Sequence, residues 1–422
     1  LPDGSQAVAV DVEAIDVRLV FDTATRHARA EATVTFVVDG PGGRPALDLR
    51  QRIETLALDG TPLPTSAFPH LDLGGGAKAE MRVLDVALEP GTRHRIDLGY
   101  ALDLPDATGA LPVEWQDGGV RFDLWMSDLE PGRYLEMWVP APLCHDRFAL
   151  QVEVEVTGTD RDHLLVTNAG PLPTPGLRWE VHYPPTFTSL SPMLVLGPAD
   201  DIELRRRPVS VPGRSEPIDL RMLRHREVDA DLSACEADVA AWLHYLSVRY
   251  GPWAHGPAMT AFVWGPGRGM EYDGATTASV RALEHEVFHS WFGRGVKPAR
   301  AADGWIDEAW TSWATASSRR EGGRFEAEAL DLNETAVLLY PPHPNARVTP
   351  RESYREGARL FSGLAALLGG PERLRSAMGQ WYSANAGGLV TTDGLERHLS
   401  SWSDVDITPW WDRFVHGGAP RG

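Results

Sequence analysis

The stretch Val280-Arg281-Ala282-Leu283-Glu284-His285-Glu286-Val287-Phe288-His289-Ser290-Trp291-Phe292 carries the periodicity on which the reading of the fold turns. Its apolar positions Val280, Leu283, Val287, Phe288, Trp291 and Phe292 recur at helical intervals, so the spacing predicts a helix over about Thr277 to Gly293. Residues four apart on a helix lie one turn above each other. His285 and His289 therefore project from one face, at a spacing that a single Zn²⁺ can bridge. Glu286 lies one position round from His285, which sets its carboxylate beside the metal's open position rather than among its ligands.

A second helix supplies the third ligand. Eighteen residues lie between His289 and Glu308, and Glu308 sits in Trp305-Ile306-Asp307-Glu308-Ala309-Trp310. The apolar face of that segment, continued by Trp313 and Ala314, can pack it against the first helix. Two histidines and one carboxylate leave one tetrahedral position for water, the mark of a catalytic rather than a structural site. The expected cofactor is one Zn²⁺ per chain, a His/carboxylate set being able to take other divalent ions as well. His244, His255, His398 and His416 are isolated and read as structural or surface residues. The chain has no phosphate-binding loop ending in Lys-Ser/Thr, no nucleophile elbow and no Cys-x-x-Cys pair.

Upstream of this centre the period changes from helical to two. Ile15, Val17, Leu19 and Phe21 alternate with polar or small neighbours, as do Ala30, Ala32, Val34, Phe36 and Val38, and Phe148, Leu150, Val152, Val154 and Val156. Turn residues separate the runs at Asp39-Gly40, Asp59-Gly60, Pro90-Gly91 and Asn168-Ala169-Gly170. The expectation is a multidomain α and β protein. An N-terminal antiparallel β-sheet domain, a saddle or sandwich, spans 1–207, and a mainly helical domain spans 208–422. In the latter, helices are predicted from about Ala234 to Tyr250, Asp307 to Arg320, Glu352 to Leu368, Pro371 to Ala384 and Asp393 to Ser401, with a short strand at Thr260 to Trp264. Gly369-Gly370-Pro371 ends one helix and starts the next.

Bulk properties exclude several classes. A net charge of −19 argues against nucleic acid as a partner, because phosphate binding needs clustered positive charge. No apolar run approaches the roughly 20 residues of a membrane span. Cys144 and Cys235 are too few for a disulfide framework and fit a reducing compartment, so a cytoplasmic location is expected. Lysine occurs only at Lys78 and Lys297 while arginine is abundant, the composition of a GC-rich bacterial genome.

The order of these motifs resembles the gluzincin family of aminopeptidase N and the leukotriene hydrolases, over most of the chain. The family's amine-recognition loop, Gly-Ala-Met-Glu-Asn, is matched by Arg268-Gly269-Met270-Glu271-Tyr272, and its tyrosine motif, Tyr-Glu-Lys-Gly-Ala, by Tyr354-Arg355-Glu356-Gly357-Ala358. Leu367 to Glu372, Thr391-Thr392-Asp393 and Thr188 to Met193 also read like family segments. The resemblance implies a thermolysin-like zinc peptidase domain with His285, His289 and Glu308 as ligands and Glu286 as general base. Tyr354 would donate to the oxyanion. Glu271 would anchor a substrate's free α-ammonium, with Gly269, Met270 and Tyr272 beside it and Glu130 from the sheet domain as a further contact.

Three departures bear on the substrate. Tyr272 replaces the loop asparagine, the segment from Glu271 to His285 is shorter than in the family, and the chain ends near Trp410 to Phe414, where the family's zinc domain normally ends. The resemblance then implies that the helical domain roofing the cleft is missing, leaving the site open or covered by a second copy in a homo-oligomer. The expected partner is a short peptide or a small amine-bearing amide. Alternatives are a specialised hydrolase of epoxides or non-peptide amides, and a binding module without activity.

Overall fold

Strand alternation in the first two hundred residues builds a seven-stranded sheet in the computed structural model, which describes residues 1, 3–74, 80–103, 113–127, 134–142, 146–316, 329–340 and 349–418. By its contacts the chain divides into two compact units, Leu1–Glu203 with His225–Glu227, and Leu204–Arg224 with Val228–Gly422. In the first unit the large sheet runs in the order Arg178–Tyr183, Ala149–Thr157, Val10–Asp22, His27–Val38, Arg93–Ala101, Ile53–Leu58, Thr61–Leu63. Ile15, Leu19, Phe21, Val34, Phe36, Val152 and Val154 are buried on one face, as period two requires. The other face is polar and carries ion pairs such as Arg18 with Glu153 and Glu155.

Among the described residues, this unit also holds two smaller four-stranded sheets. Two pairings depart from the antiparallel expectation, the longer being that of Ala149–Thr157, which lies parallel to Val10–Asp22. Adjacent strands joined by a tight turn must run antiparallel, but Ala149–Thr157 is distant in sequence from its neighbour and has no such constraint. Ala7–Val8 pairs parallel with Arg44–Leu47 for the same reason.

The second unit opens on a five-stranded sheet made of β1 (Ile202–Val209), β2 (Ile218–His225), β3 (Ala258–Trp264), β4 (Gly269–Tyr272) and β5 (Ala275–Ser279), in the order β1-β2-β3-β5-β4. β2, β3 and β5 run parallel, and β4 lies antiparallel on the edge. Among the described residues, seven helices follow the pattern of apolar residues: α1 (Leu232–Arg249), α2 (Leu283–Phe288), α3 (Trp305–Ala316), α4 (Ala358–Leu368), α5 (Pro371–Asn385), α6 (Thr392–Trp402) and α7 (Thr408–Phe414). Asp231 caps α1 by accepting from the backbone N–H of Ser233 and Ala234. Gly369 adopts a left-handed conformation at φ 95°, and Gly370 N donates to Ala365 O at 2.7 Å, closing α4 before Pro371 starts α5.

The helix expected from Thr277 is shorter than its periodicity suggested. Thr277 and Ala278 are buried in β5 between two neighbouring strands, and Val280 is exposed at the turn into α2. Two β-branched threonines in a row suit a strand with partners on both sides, and sheet pairing overrides the helical pattern there. α3 is buried almost all round: ten of its twelve residues are buried, Asp307, Glu308, Thr311 and Thr315 among them, as in a helix enclosed by its own domain. Tyr250 meets Phe288, Phe292 and Trp310 edge-on, and Phe361 packs on Trp305 and Trp310. Each such pair adds about 0.5–1.5 kcal/mol beyond area burial, so this cluster holds α2 against α3. Among the described residues no helix is long and apolar enough to cross a membrane.

Candidate metal centre

Aromatic packing of α2 on α3 brings three donor atoms to one point. His289 follows α2 directly and keeps helical angles (φ −57°, ψ −19°), so its ring stays under that of His285, with centroids 4.6 Å apart. Glu308, from the first turn of α3, sets Oε2 3.0 Å from His285 Nε2 and 3.6 Å from His289 Nε2. Two metal bonds of about 2.0–2.1 Å at a tetrahedral angle separate donors by about 3.3 Å, so these spacings bracket what one zinc ion needs.

The second ring nitrogen of His289 is held. Its Nδ1 faces Asp307 Oδ1 in a short contact, Phe292 O at 3.1 Å and Thr311 Oγ1 at 3.3 Å. With Nδ1–H donating to Asp307, Nε2 presents its lone pair toward Glu308, and this buried atom has no hydrogen-bond partner. A buried orphan acceptor aimed at a carboxylate and a second imidazole is explained by a cation between them. Electrostatics agree. Burial alone would push the His289 imidazole down, but the charges of Asp307, Glu271 and Glu308 outweigh it and raise it well above its ordinary range. For Glu308, burial would raise the carboxyl, and the two imidazoles instead hold it well below the usual carboxylate range. The pocket favours positive charge, and a divalent cation fits both its donors and its field.

The remaining predicted residues of this unit lie close by. Glu286 is buried, and its Oε1 occupies the space that any side chain at Gly269 would need. One donor atom each from Glu271, Glu286 and His289 falls within 4.8 Å of the others. Tyr354 lies in a π-helical turn, Ser353–Gly357, just before α4, with its ring stacked on that of His285 at 6.2 Å and 17°. Gly269 and Tyr354 line a cleft of about 650 Å³ that opens beside His285. Met270 and Tyr272 are each 1% exposed. Glu130 lies outside the described residues, as does Cys144, while Cys235 is a buried free thiol.

Sequence reading missed two neighbours of these groups. Asp307 precedes Glu308, and a carboxylate there was a usable sign of a partner for His289. Gly293, with φ 116°, makes room for it, since a side chain at 293 would overlap the Asp307 carboxylate. Arg294 is the other: its Nη2 donates to Glu271 Oε1 at 2.6 Å, and both side chains are buried. Lys297 and Asp273 form a second buried pair at 2.6 Å.

In fold the chain is similar to solved zinc metallopeptidases, and His285, His289 and Glu308 form a donor set that could hold a metal ion. The chain matches an M1 zinc metallopeptidase from Deinococcus radiodurans, a variant solved with a Tyr-Ser-Ala substrate, at TM-score 0.68 and 19% identity over 98% of this chain and 96% of that one. A two-domain M1 zinc metallopeptidase variant bound to L-tryptophan matches at TM-score 0.67 and 19% identity, over 98% and 96%. Aminopeptidase A of Legionella pneumophila, in complex with aspartic acid, matches at TM-score 0.70 and 12% identity, and this chain spans 50% of its length. No protein-family model and no curated protein sequence matches the chain.

Proposed function

We propose that the protein is a zinc-dependent aminopeptidase of the M1 type, hydrolysing the amide bond next to a free N-terminal amine of short peptides or small amine-bearing amides. The observation that carries this reading is the convergence of His285, His289 and Glu308 on one point, with Glu286 and Glu271 in the same buried pocket. The reading takes 1–207 as the sheet domain and 208–422 as the thermolysin-like zinc domain. His285, His289 and Glu308 would hold the zinc, which when bound supplies Lewis-acid polarisation and brings the pKa of water towards about 7.

The chain's own residues divide the remaining work. Glu286 accepts a proton at its carboxylate from the attacking water and returns it to the leaving amine nitrogen. Tyr354 donates a hydrogen bond from Oη to the carbonyl oxygen as it gains charge. Asp307 keeps the proton of His289 on Nδ1, which leaves Nε2 as a ligand. Glu271 binds the α-ammonium by a charge-assisted contact that an acetylated substrate lacks.

A second reading, a hydrolase of epoxides or non-peptide amides, draws on one observation: Arg294 already gives Glu271 a buried cation, which lowers its call on a substrate ammonium. Matched peptides, one with a free N-terminus and one acetylated, separate the two readings. The aminopeptidase should cleave the free peptide at least about 100-fold faster in kcat/KM, an effect of the size expected when a charge-assisted contact is lost. Equal rates would remove Glu271 from its assigned role. Native protein holding no zinc would favour a binding module instead.

A further inference from the structure

A cavity of about 300 Å³ lies between α1, α2 and α3, and it shares no lining residue with the cleft beside His285. Trp242, Tyr245 and Leu246 stand at helical spacing on α1, and Tyr250 follows a turn further on, so one face of that helix supplies most of the wall. Phe288 closes the cavity from α2, edge-on to Tyr250 with ring centroids 5.5 Å apart, and Ala314 closes it from α3. Leu246, Tyr250, Phe288 and Ala314 are buried, while Tyr245 is 47% exposed and stands on the solvent side. Glu284 borders the same space; it has a contact of its own, and no free charge is assigned to it.

One polar atom on this apolar floor lacks a partner. The hydrogen bonds of Tyr250 are made by its backbone, N donating to Leu246 O at 2.8 Å and O accepting from Ser383 Oγ at 3.1 Å. Among the described residues its hydroxyl has no hydrogen-bond partner, although Tyr250 is only 2% exposed. Burial pushes that hydroxyl well above its ordinary range, so it stays protonated and can both donate and accept. Among the buried lining side chains it is the only polar one. A buried water needs about two to four polar partners, which one hydroxyl does not supply. Ring walls favour another ring, packed edge-to-face or offset. About 150 Å³ suffices for benzene, so this cavity has room for two fused rings. We infer that it is a binding site for a flat one- or two-ring aromatic molecule of the indole or phenol class. The ring packs among Trp242, Tyr245 and Phe288, and its N–H or hydroxyl bonds Tyr250 Oη. Such a ligand lies against α2 and α3, the helices that carry His285 and Glu308, but touches neither of those side chains.

The test titrates the zinc-loaded full chain with indole and with 1-methylindole, which keeps the rings and lacks the N–H, and reads binding by calorimetry. Indole should saturate one site per chain and bind about 2- to 10-fold more tightly than 1-methylindole, the effect of one neutral hydrogen bond. Tyr250→Phe removes an oxygen that no protein group holds, so zinc content and thermal unfolding should stay as they are while the preference for indole disappears. Trp242→Ala takes away one wall at a half-buried position and should weaken both probes by about tenfold. Absence of saturable indole binding overturns the site. A preference for indole that survives Tyr250→Phe does so too, as does binding unmoved by Trp242→Ala, which would put the probe in another cavity. Benzyltrimethylammonium tests the rival chemistry, a cation held by ring faces. Tighter binding of that cation than of indole, lost in Trp242→Ala, would make the cavity a cation box and overturn the assignment to a hydrogen-bonding aromatic.

Discussion

The two units bury charge in opposite ways. Among the described residues, the first keeps only two carboxylates in its interior, Asp48 and Glu136, and Asp48 has Arg50 at 2.7 Å and His70 at 3.1 Å. The second buries Glu271, Asp273, Glu286, Asp303, Asp307 and Glu308 within a short length of chain. Arg294 answers Glu271, Lys297 answers Asp273, and Thr392 donates to Asp303 from its backbone N–H and its hydroxyl. Glu286, Asp307 and Glu308 lie around the imidazoles of His285 and His289. An apolar interior tolerates such an excess of negative charge poorly, since isolated buried charge costs several kcal/mol. A divalent cation would balance it, so the second unit has donors and a field that suit an ion, while the first pairs its few buried charges internally.

Several experiments break or sharpen this contrast. The largest effect should come from the metal and its base. Chelation should abolish peptide hydrolysis, with recovery on adding zinc, while Glu286→Gln should keep the metal and lower kcat by about 10²–10⁴. Metal analysis beside a turnover assay checks both, and an active Glu286→Gln protein would overturn the assignment. Arg294→Met leaves Glu271 buried without its partner, so chemical denaturation should register a loss of about 3–5 kcal/mol. In the first unit, Leu19→Ala opens a cavity in an apolar face and should cost about 2–5 kcal/mol, with zinc affinity unchanged by competition titration.

A smaller change tests the support of His289. Asp307→Asn should weaken zinc binding by about 10–100-fold, measured against a calibrated chelator, and unchanged affinity would show that the Nδ1 contact does not orient the ring. The smallest effect belongs to the polar face of the first sheet. Arg18 is 40% exposed at its side chain, so Arg18→Gln should move stability by no more than about 1 kcal/mol, and less at high salt. A loss there as large as that for Arg294→Met would erase the distinction between the units.

Much of this was legible in one dimension because two periodicities do the work. A period of two places Ile15, Leu19, Phe21, Val152 and Val154 on one buried face, and the four-residue step from His285 to His289 places two imidazoles on one side of a helical turn. Both follow from backbone geometry alone, and so did the expectation that Glu308 would join the histidines once Trp305, Trp310 and Trp313 were seen to form an apolar face. Pairings between distant residues were not legible, because they depend on which elements come to lie together. Thr277 and Ala278 read as helix until β3 and β4 flank them as strand. Asp307 behind His289, Arg294 on Glu271, and Arg268 beside Arg281 in one cleft are products of packing. Sequence periodicity determined which two imidazoles share a face, and tertiary structure decided what surrounds them, because charge partners are selected by distance in space and not along the chain.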